Sequence, residues 1–116
     1  MATTLRQQRI ALKRDFDHIF ANGKRLVTRH LVFVYLPTRL TTSRVALIVS
    51  KKCFKQAVRR NYIKRLHRVL YQAIAVRPGF DVVVIARPAI ARVEKDRCFV
   101  TLKNQWEDFA KCLANC

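Results

Sequence analysis

Hydrophobic residues along the chain alternate between a helical spacing and short continuous runs typical of buried strands. Four of the six residues in the run 81–86 are β-branched, which favours a strand, whereas the last segment repeats its apolar residues every three or four positions. These patterns predict, in order, a helix over 13–22, strands over 24–28, 31–36 and 44–50, a helix over 55–76, a strand over 81–86 and a helix over 94–113. The apolar residues of the last helix are Phe99, Leu102, Trp106, Phe109 and Leu113.

This order indicates an α+β fold, a two-layer α/β sandwich in which helices pack on a small mixed sheet in the order α-β-β-β-α-β-α. The part from 45 to 86 has the form of a βαβ unit. A length of 116 residues fits one domain, 1–116, and we expect 1–12 to be flexible. Because no apolar run has the length of a membrane span or a signal peptide, we expect a cytoplasmic protein.

The net charge of the chain indicates the class of its partner, which the hydrophobic pattern does not. Lys and Arg number 24 and Asp and Glu only 7, which gives a formal net charge of +17. The stretch between His18 and Phe80 contains no Asp or Glu. A compact chain with this charge repels itself, and a polyanionic partner would relieve that repulsion. The candidate partners are a nucleic acid and an anionic membrane surface.

The predicted helix over 55–76 gathers this charge on one side. On a helical wheel its apolar half, which includes Val58, Ile63 and Val69, is expected to face the core, and His67 falls on the boundary. The other half is a continuous polar face without Asp or Glu, as a row of phosphate contacts would require. Its members are Arg60, Asn61, Lys64, Arg65 and Arg68.

Lys51 and Lys52 lie between a strand and this helix. Their position suits an anion site near a helix N-terminus, and an ordinary β-to-α loop is the alternative. A helix of this kind could also lie on an anionic bilayer. The strands on either side disfavour that interpretation, because they supply a core for the apolar half of the helix.

Aromatic residues offer a second candidate surface. Phe16 and Phe20 either pack in the core or form a platform on which the bases of a single-stranded nucleic acid stack. Phe33 and Tyr35 share one side of their strand and would extend that platform.

Protein-borne catalysis is not expected. Asp15 and Asp17 point in different directions from their helix and Asp81 stands alone, so no carboxylate pair is expected to hold catalytic metal ions. The cysteines form no CxxC pair and the histidines are scattered, which disfavours zinc. The sequence therefore predicts neither catalytic residues nor metal ligands.

The basic segment closely resembles the signature of the bacterial ribonuclease P protein family, Arg-Asn-x-x-Lys-Arg-x-x-Arg after a strand and a Ser-Lys-Lys element. The resemblance covers about 10–113 and includes Phe16 and Phe20. The chain departs from the family at Tyr62, where a second Arg is common, and it has an additional Arg59. The matching residues are Ser50, Lys51, Lys52, Arg60, Asn61, Lys64, Arg65 and Arg68.

This resemblance implies the protein component of an endoribonuclease, bound 1:1 to a large catalytic RNA. The holoenzyme removes the 5′ leader of precursor tRNA by hydrolysing a phosphodiester with Mg²⁺, and the RNA carries the chemistry. The protein itself would bind no cofactor, DNA or membrane. The family also implies a left-handed βαβ crossover. By resemblance, the RNA subunit is bound by Lys51, Lys52, Arg59, Arg60, Asn61, Lys64, Arg65 and Arg68. The cleft for the leader strand is lined by Phe16, Phe20, Phe33 and Tyr35.

Three other functions share a basic helix. A ribosomal-type protein would bind ribosomal RNA without stimulating leader removal. A DNA-binding protein would place the helix in the major groove from a compact helix-turn-helix dimer, which the flanking strands disfavour. A self-sufficient ribonuclease would cleave RNA without any RNA subunit.

Overall fold

The computed structural model describes residues 13–38, 44–73 and 79–114. They form helices and strands in the predicted order, which confirms the α+β class. The segment 1–12, for which the sequence predicts flexibility, lies outside the described residues. The elements are α1 (Lys13–Asn22), β1 (Lys24–Val27), β2 (Leu31–Pro37), β3 (Arg44–Ile48), α2 (Ala57–Ala73), β4 (Phe80–Ala86) and α3 (Cys98–Ala114), with short 3₁₀ helices at Pro88–Arg92 and Lys95–Arg97.

The strands lie side by side in the order β1-β2-β4-β3. β2 pairs antiparallel with β1 and with β4, whereas β3 runs parallel to β4. β3, α2 and β4 therefore form the predicted βαβ unit, and its left-handed crossover stays a prediction. Val82, Val83 and Val84 of β4 are at most 1% exposed, as expected for a β-branched run covered on both faces.

Different helices cover the two faces of the sheet. α2 and α3 pack on one face, where Phe33 contacts Trp106. α1 packs on the opposite face, where Ile19 contacts the side of the sheet that carries Val34 and Val83. α2 and α3 thus form the main helical layer, and α1 covers part of the other face.

Gly23 fixes the end of α1 against β2. Its N–H donates to the carbonyl oxygen of Ile19 at 2.7 Å. A Cβ at this position would lie 2.5 Å from that oxygen and 3.0 Å from the carbonyl oxygen of Tyr35. Only glycine fits this approach, so the sequence Asn22-Gly23 both ends the helix and allows it to lie close to the sheet.

α3 begins at Cys98 rather than near 94, because Lys95–Arg97 forms a 3₁₀ helix first. Leu102, Trp106 and Phe109 are buried as predicted. Phe99 is 37% exposed, since it stands at the edge of the apolar stripe rather than at its centre. Neither α3 nor any other described helix is long and apolar enough to cross a membrane.

Gln105 joins α3 to the turn between β1 and β2. Its side-chain oxygen accepts hydrogen bonds from the Thr28 hydroxyl and from the N–H of His30, the latter at 3.1 Å. Its Nε2 donates to Nδ1 of His30 at 2.8 Å. These bonds satisfy the polar groups of a part-buried turn and set the position of α3 along the sheet.

Candidate nucleic-acid interface

A tight turn after β3 presents Lys51 and Lys52. The N–H of Cys53 donates to the carbonyl oxygen of Ser50 at 3.1 Å, which closes the turn. The Cys53 thiol donates to the carbonyl oxygen of Ala86 at 3.2 Å and so holds the turn against the end of β4. Both lysines are exposed, and their ammonium groups can reach a bound polyanion.

α2 carries the predicted polar face. Asn61, Lys64, Arg65 and Arg68 are exposed, and we refer to these four residues as the α2 basic face. The helix contains no Asp or Glu, so its positive charge is not neutralised along its own surface. Such a face suits phosphate groups, which charged side chains contact without reading sequence.

Arg60 differs from the other cations of α2. It is half-buried, and its Nη1 donates to the carbonyl oxygens of Phe54 and Lys55, each at 2.8 Å. Those carbonyl groups precede the helix, so Arg60 fastens the incoming turn to α2. A substitution at this position would therefore disturb local structure as well as charge.

Arg59 extends the charge towards the turn. Its guanidinium carbon lies 4.6 Å from the centroid of the Phe54 ring, a cation–π contact. The side chain is nevertheless exposed. The contact restrains the guanidinium at the start of α2 while leaving it accessible to a ligand.

The face of α2 that is buried in the structure differs from the apolar half that the helical wheel predicts to be buried. Ile63 is 1% exposed, as expected, but Val58 and Val69 are 76% and 51% exposed, and their assignment to the core is wrong. His67 is 4% exposed and accepts a hydrogen bond from Trp106 Nε1 at 2.9 Å. α3 packs against the His67 side of α2, and this leaves Val58 uncovered at the start of the helix.

The aromatic rings of α1 border a partly open apolar surface. Phe16 and Phe20 are half-buried, with ring centroids 6.5 Å apart and planes 26° apart. They pack against the same buried cluster as the half-buried sheet residues Val32, Ile48 and Ile85. We refer to these five residues as the α1 cleft. α1 covers only part of this sheet face, so ring and aliphatic surfaces stay accessible beside it.

Phe33 and Tyr35 are core residues and do not line the α1 cleft, which corrects their predicted role. They do share one side of β2, but that side faces α3. Phe33 is fully buried, and its ring stacks on Phe109 with centroids 4.3 Å apart. Tyr35 is 6% exposed and lies 5.5 Å from the same ring.

Sequence reasoning missed two exposed cations, Arg29 and Arg87, at the sheet end that carries Lys51. The Arg87 N–H donates to the carbonyl oxygen of His30 at 2.9 Å, and its Nη1 donates to that of Thr28 at 2.7 Å. Burial, then the positive charges of Arg29 and Arg87, lower the pKa of His30. Only the pairing of β2 with β4 brings these residues together.

Asp15 and Asp81 converge, contrary to the expectation that Asp81 stands alone. Arg44 lies between them, with Nε and Nη2 donating to Asp81 at 2.9 and 2.7 Å and Nη1 donating to Asp15 at 3.4 Å. The guanidinium fills the space between the carboxylates, so this pair does not fit a magnesium site. Within the part of the chain that the structure describes, no group of three or more His, Cys, Asp or Glu side chains could hold a metal ion.

Comparisons with known proteins give a consistent result. Residues 5–110 match the family model described as Ribonuclease P. The ribonuclease P protein component of Legionella pneumophila is 33% identical over 105 residues, which covers 90% of this chain and 91% of that protein. The RNase P protein from Thermotoga maritima, solved in complex with 1-(4-fluorophenyl)-2-thiourea, has a TM-score of 0.78 at 32% identity, with 89% of this chain and 97% of that one covered. A Staphylococcus aureus RNase P protein, a mutant with defective mRNA degradation activity, has a TM-score of 0.78 at 27% identity, with 89% and 88% covered.

Proposed function

Because this chain belongs to the ribonuclease P protein family, we propose that it is the protein subunit of a ribonucleoprotein that matures precursor tRNA. The chain joins one ribonuclease P RNA, and the complex hydrolyses the phosphodiester between the 5′ leader and the tRNA. The RNA performs this reaction with Mg²⁺, and the protein supplies binding surface. The cytoplasmic location inferred from the sequence belongs to the same proposal.

The α2 basic face is the observation that carries the proposal. Lys64, Arg65 and Arg68 are exposed on a helix without acidic residues. Lys51 and Lys52, exposed at the preceding turn, add to the same positive surface. Each cation that meets a phosphate releases condensed counterions, which makes affinity for a folded RNA strong and dependent on salt.

The α1 cleft is the proposed contact for the 5′ leader. Phe16 and Phe20 present half-buried rings beside the apolar sheet face, and unpaired bases stack on such rings without regard to sequence. Phe33 and Tyr35 are excluded from this proposal because both are buried under α3.

The protein contributes charge and position rather than bond cleavage. Arg44 forms ion pairs with Asp15 and Asp81, and His67 lies inside the core. What the protein changes is the repulsion between two RNA molecules, since a cationic surface beside their junction lowers the need for Mg²⁺.

Cleavage of precursor tRNA at low Mg²⁺ tests the proposal. A bacterial ribonuclease P RNA is incubated with substrate, with and without the protein, and 5′-leader release is measured. We expect the protein to restore release under conditions in which the RNA alone is slow. Binding to the RNA without any effect on cleavage would instead indicate a structural RNA-binding protein of the ribosomal type.

A reaction without ribonuclease P RNA tests protein-borne cleavage. The Staphylococcus aureus structure of a mutant with defective mRNA degradation activity gives a reason to include messenger RNA as a substrate in this reaction. We expect both precursor tRNA and messenger RNA to remain intact. Cleavage by the protein alone would support a self-sufficient ribonuclease.

A further inference from the structure

A small apolar groove lies between the start of α2 and the start of α3. Its volume is about 190 Å³. Val58 and Tyr62 form its wall on the α2 side, and Phe54, Ile63 and Cys98 lie deeper, at 4%, 1% and 4% exposure. Val58 is 76% exposed at the rim, so apolar surface is open to solvent here.

Two cations stand at this groove, each over an aromatic ring. The Arg59 guanidinium carbon is 4.6 Å from the centroid of the Phe54 ring, and Lys95 Nζ is 5.1 Å from that of Tyr62. Both cations are exposed and line the groove. The Tyr62 hydroxyl donates to the carbonyl oxygen of Lys95 at 3.4 Å, which links the two walls.

The occupant that fits this arrangement is flat, has apolar faces and is negatively charged on either side. A cavity of ~150 Å³ accepts a benzene ring, so the groove is large enough for one planar heterocycle. A nucleobase satisfies the flat and apolar requirements, and the phosphates of its nucleotide and of the next one supply the charges. An aromatic ring such as that of the half-buried Tyr62 can stack on any base.

The position of the groove favours RNA over a peptide as the occupant. Arg59 lines the groove and lies in the first turn of α2, the helix that carries the α2 basic face. Glu94 and Asp96 neighbour Lys95 in the chain and do not line the groove. A bound strand could therefore lie along α2 and place one base in the groove without meeting an acidic wall.

We infer that this groove holds one unstacked nucleobase of the RNA partner, with its flanking phosphates paired to Arg59 and Lys95. The inference rests on the proposed function and deepens it, since it assigns a stacking site to a surface otherwise expected to contact phosphates alone. Tyr62 is the central residue, because its ring forms a wall and its hydroxyl holds the opposite one.

Affinity for a bacterial ribonuclease P RNA, measured with the full chain, tests the groove. Tyr62→Leu keeps an apolar side chain but removes the ring, and we expect it to weaken binding by about 5- to 150-fold, the range for one lost base stack. Tyr62→Phe keeps the ring and is expected to bind like the wild type. Lys95→Gln should weaken binding more than Lys103→Gln, which removes an exposed cation of α3 outside the groove.

Irradiation of the wild-type complex at 254 nm gives a second readout. We expect a nucleotide adduct on a peptide that contains Phe54 or Tyr62. Wild-type affinity of Tyr62→Leu together with no adduct in 54–63 or 95–98 would overturn the inference. If Tyr62→Leu fails to fold in a thermal unfolding control, the wild-type adduct alone decides.

These measurements, together with the leader-removal assay, separate this inference from the proposed function. A wild-type chain that neither binds the RNA nor restores leader removal contradicts the proposed function. A chain that does both but shows no adduct and no effect at Tyr62 contradicts the groove inference and leaves the proposed function in place.

Discussion

His67 lies in the core of α2 and α3 as a neutral residue. Its Nδ1 accepts the hydrogen bond of the Trp106 indole N–H at 2.9 Å, and its Nε2 has no partner among the described residues. Burial lowers its pKa from 6.5 to about 3. Protonation in the folded state would therefore place an uncompensated charge in the interior.

This lowered pKa predicts a loss of stability in acid. The unfolded chain binds a proton below pH 6.5 whereas the folded chain does so only near 3, so the stabilisation is complete above about 6.5 and is lost as the pH falls towards 3. The slope within that window is at most about 1.4 kcal/mol per pH unit. Urea unfolding at several pH values between 7.5 and 4.5 measures it.

His67→Gln is the control for that measurement. The glutamine oxygen can accept the Trp106 N–H but does not titrate. We expect a flatter dependence of the unfolding free energy on pH, because every other titrating group, including His30, is the same in both proteins. An identical slope in the two proteins would show that His67 does not cause the acid loss.

If Phe16 and Phe20 contact the 5′ leader, replacing either ring should weaken binding of precursor tRNA. Phe16→Ala and Phe20→Ala should weaken binding of leader-bearing precursor to the holoenzyme by about 1–3 kcal/mol for each lost stack, and binding of mature tRNA much less. Phe99→Ala removes an exposed ring of α3 and should affect neither ligand. Equal losses of binding free energy for precursor and mature tRNA would show that both rings are structural and do not contact the leader.

Phe33 and Tyr35 show where residue-level prediction stops. Alternation along a strand correctly places the two side chains on one side. It does not indicate whether that side lies under α1 or under α3, because that depends on helices far away in the chain. The same limit applies to Arg44, whose two carboxylate partners come from different elements.

At the scale of elements, the helical wheel of α2 correctly predicts exposed side chains at four of the five polar positions, Arg60 being half-buried, and it is wrong for part of the core. Val58 and Val69 appeared to be core residues because they are apolar, and His67 appeared marginal because it is polar. The partner that makes His67 a core residue is Trp106, which lies 39 positions later. Hydrophobicity within one helix contains no information about that partner.

The α2 basic face makes a quantitative prediction about salt. Lys64→Gln with Arg68→Gln should reduce the slope of log affinity against log salt for ribonuclease P RNA by about 1.4–1.8, at 0.7–0.9 for each lost phosphate contact. Lys103→Gln with Lys111→Gln removes the same charge from exposed positions of α3 and should change the slope little. Arg60 is left intact, because it also holds the turn before α2.

Equal slopes for the two double variants would remove the α2 basic face from the interface. The total charge of the two proteins is the same, so a difference between them reports where the charge lies. Binding isotherms at four or more salt concentrations give the slopes.

The Arg44 ion pair ties β3 to β4 and to α1. We expect Asp81→Ala to lower the free energy of unfolding by about 1–3 kcal/mol, because it leaves a half-buried guanidinium with only the more distant Asp15 carboxylate. Asp17→Ala breaks the exposed pair with Lys13 and should cost little. Urea unfolding compares them, and similar costs would contradict a structural role for Arg44.

For the whole molecule, the net charge of +17 lowers stability through repulsion between like charges, and this effect depends on salt. Screening of self-repulsion should raise the melting temperature between 0.02 and 0.3 M NaCl by several degrees, since ~1 kcal/mol corresponds to ~4–8 °C in a domain of about this size. Lys64→Gln with Arg68→Gln should show a smaller rise. A melting temperature that falls with salt would mean that specific ion pairs outweigh the repulsion.

The order of elements was predictable over the whole molecule because each change of hydrophobic period is local. The strand order β1-β2-β4-β3 was not, since it depends on which distant strands pair. Local patterns indicate that the basic helix contacts phosphate, and the family resemblance adds the kind of RNA that we propose it binds. The resemblance did not reveal the groove at Tyr62, a position where this chain departs from the family signature.

Gln105 of α3 forms hydrogen bonds with Thr28 and His30, two residues that are synthesised well before it. The sheet face beneath α3, which includes Phe33, is apolar, and Trp106 and Phe109 of α3 cover the Phe33 ring. A growing polypeptide on the ribosome can therefore complete its sheet before the helix that shields it has been made. During that interval the apolar sheet face is exposed to solvent and can aggregate with other chains. Early binding by the RNA partner or by a chaperone would protect newly made chains from this aggregation.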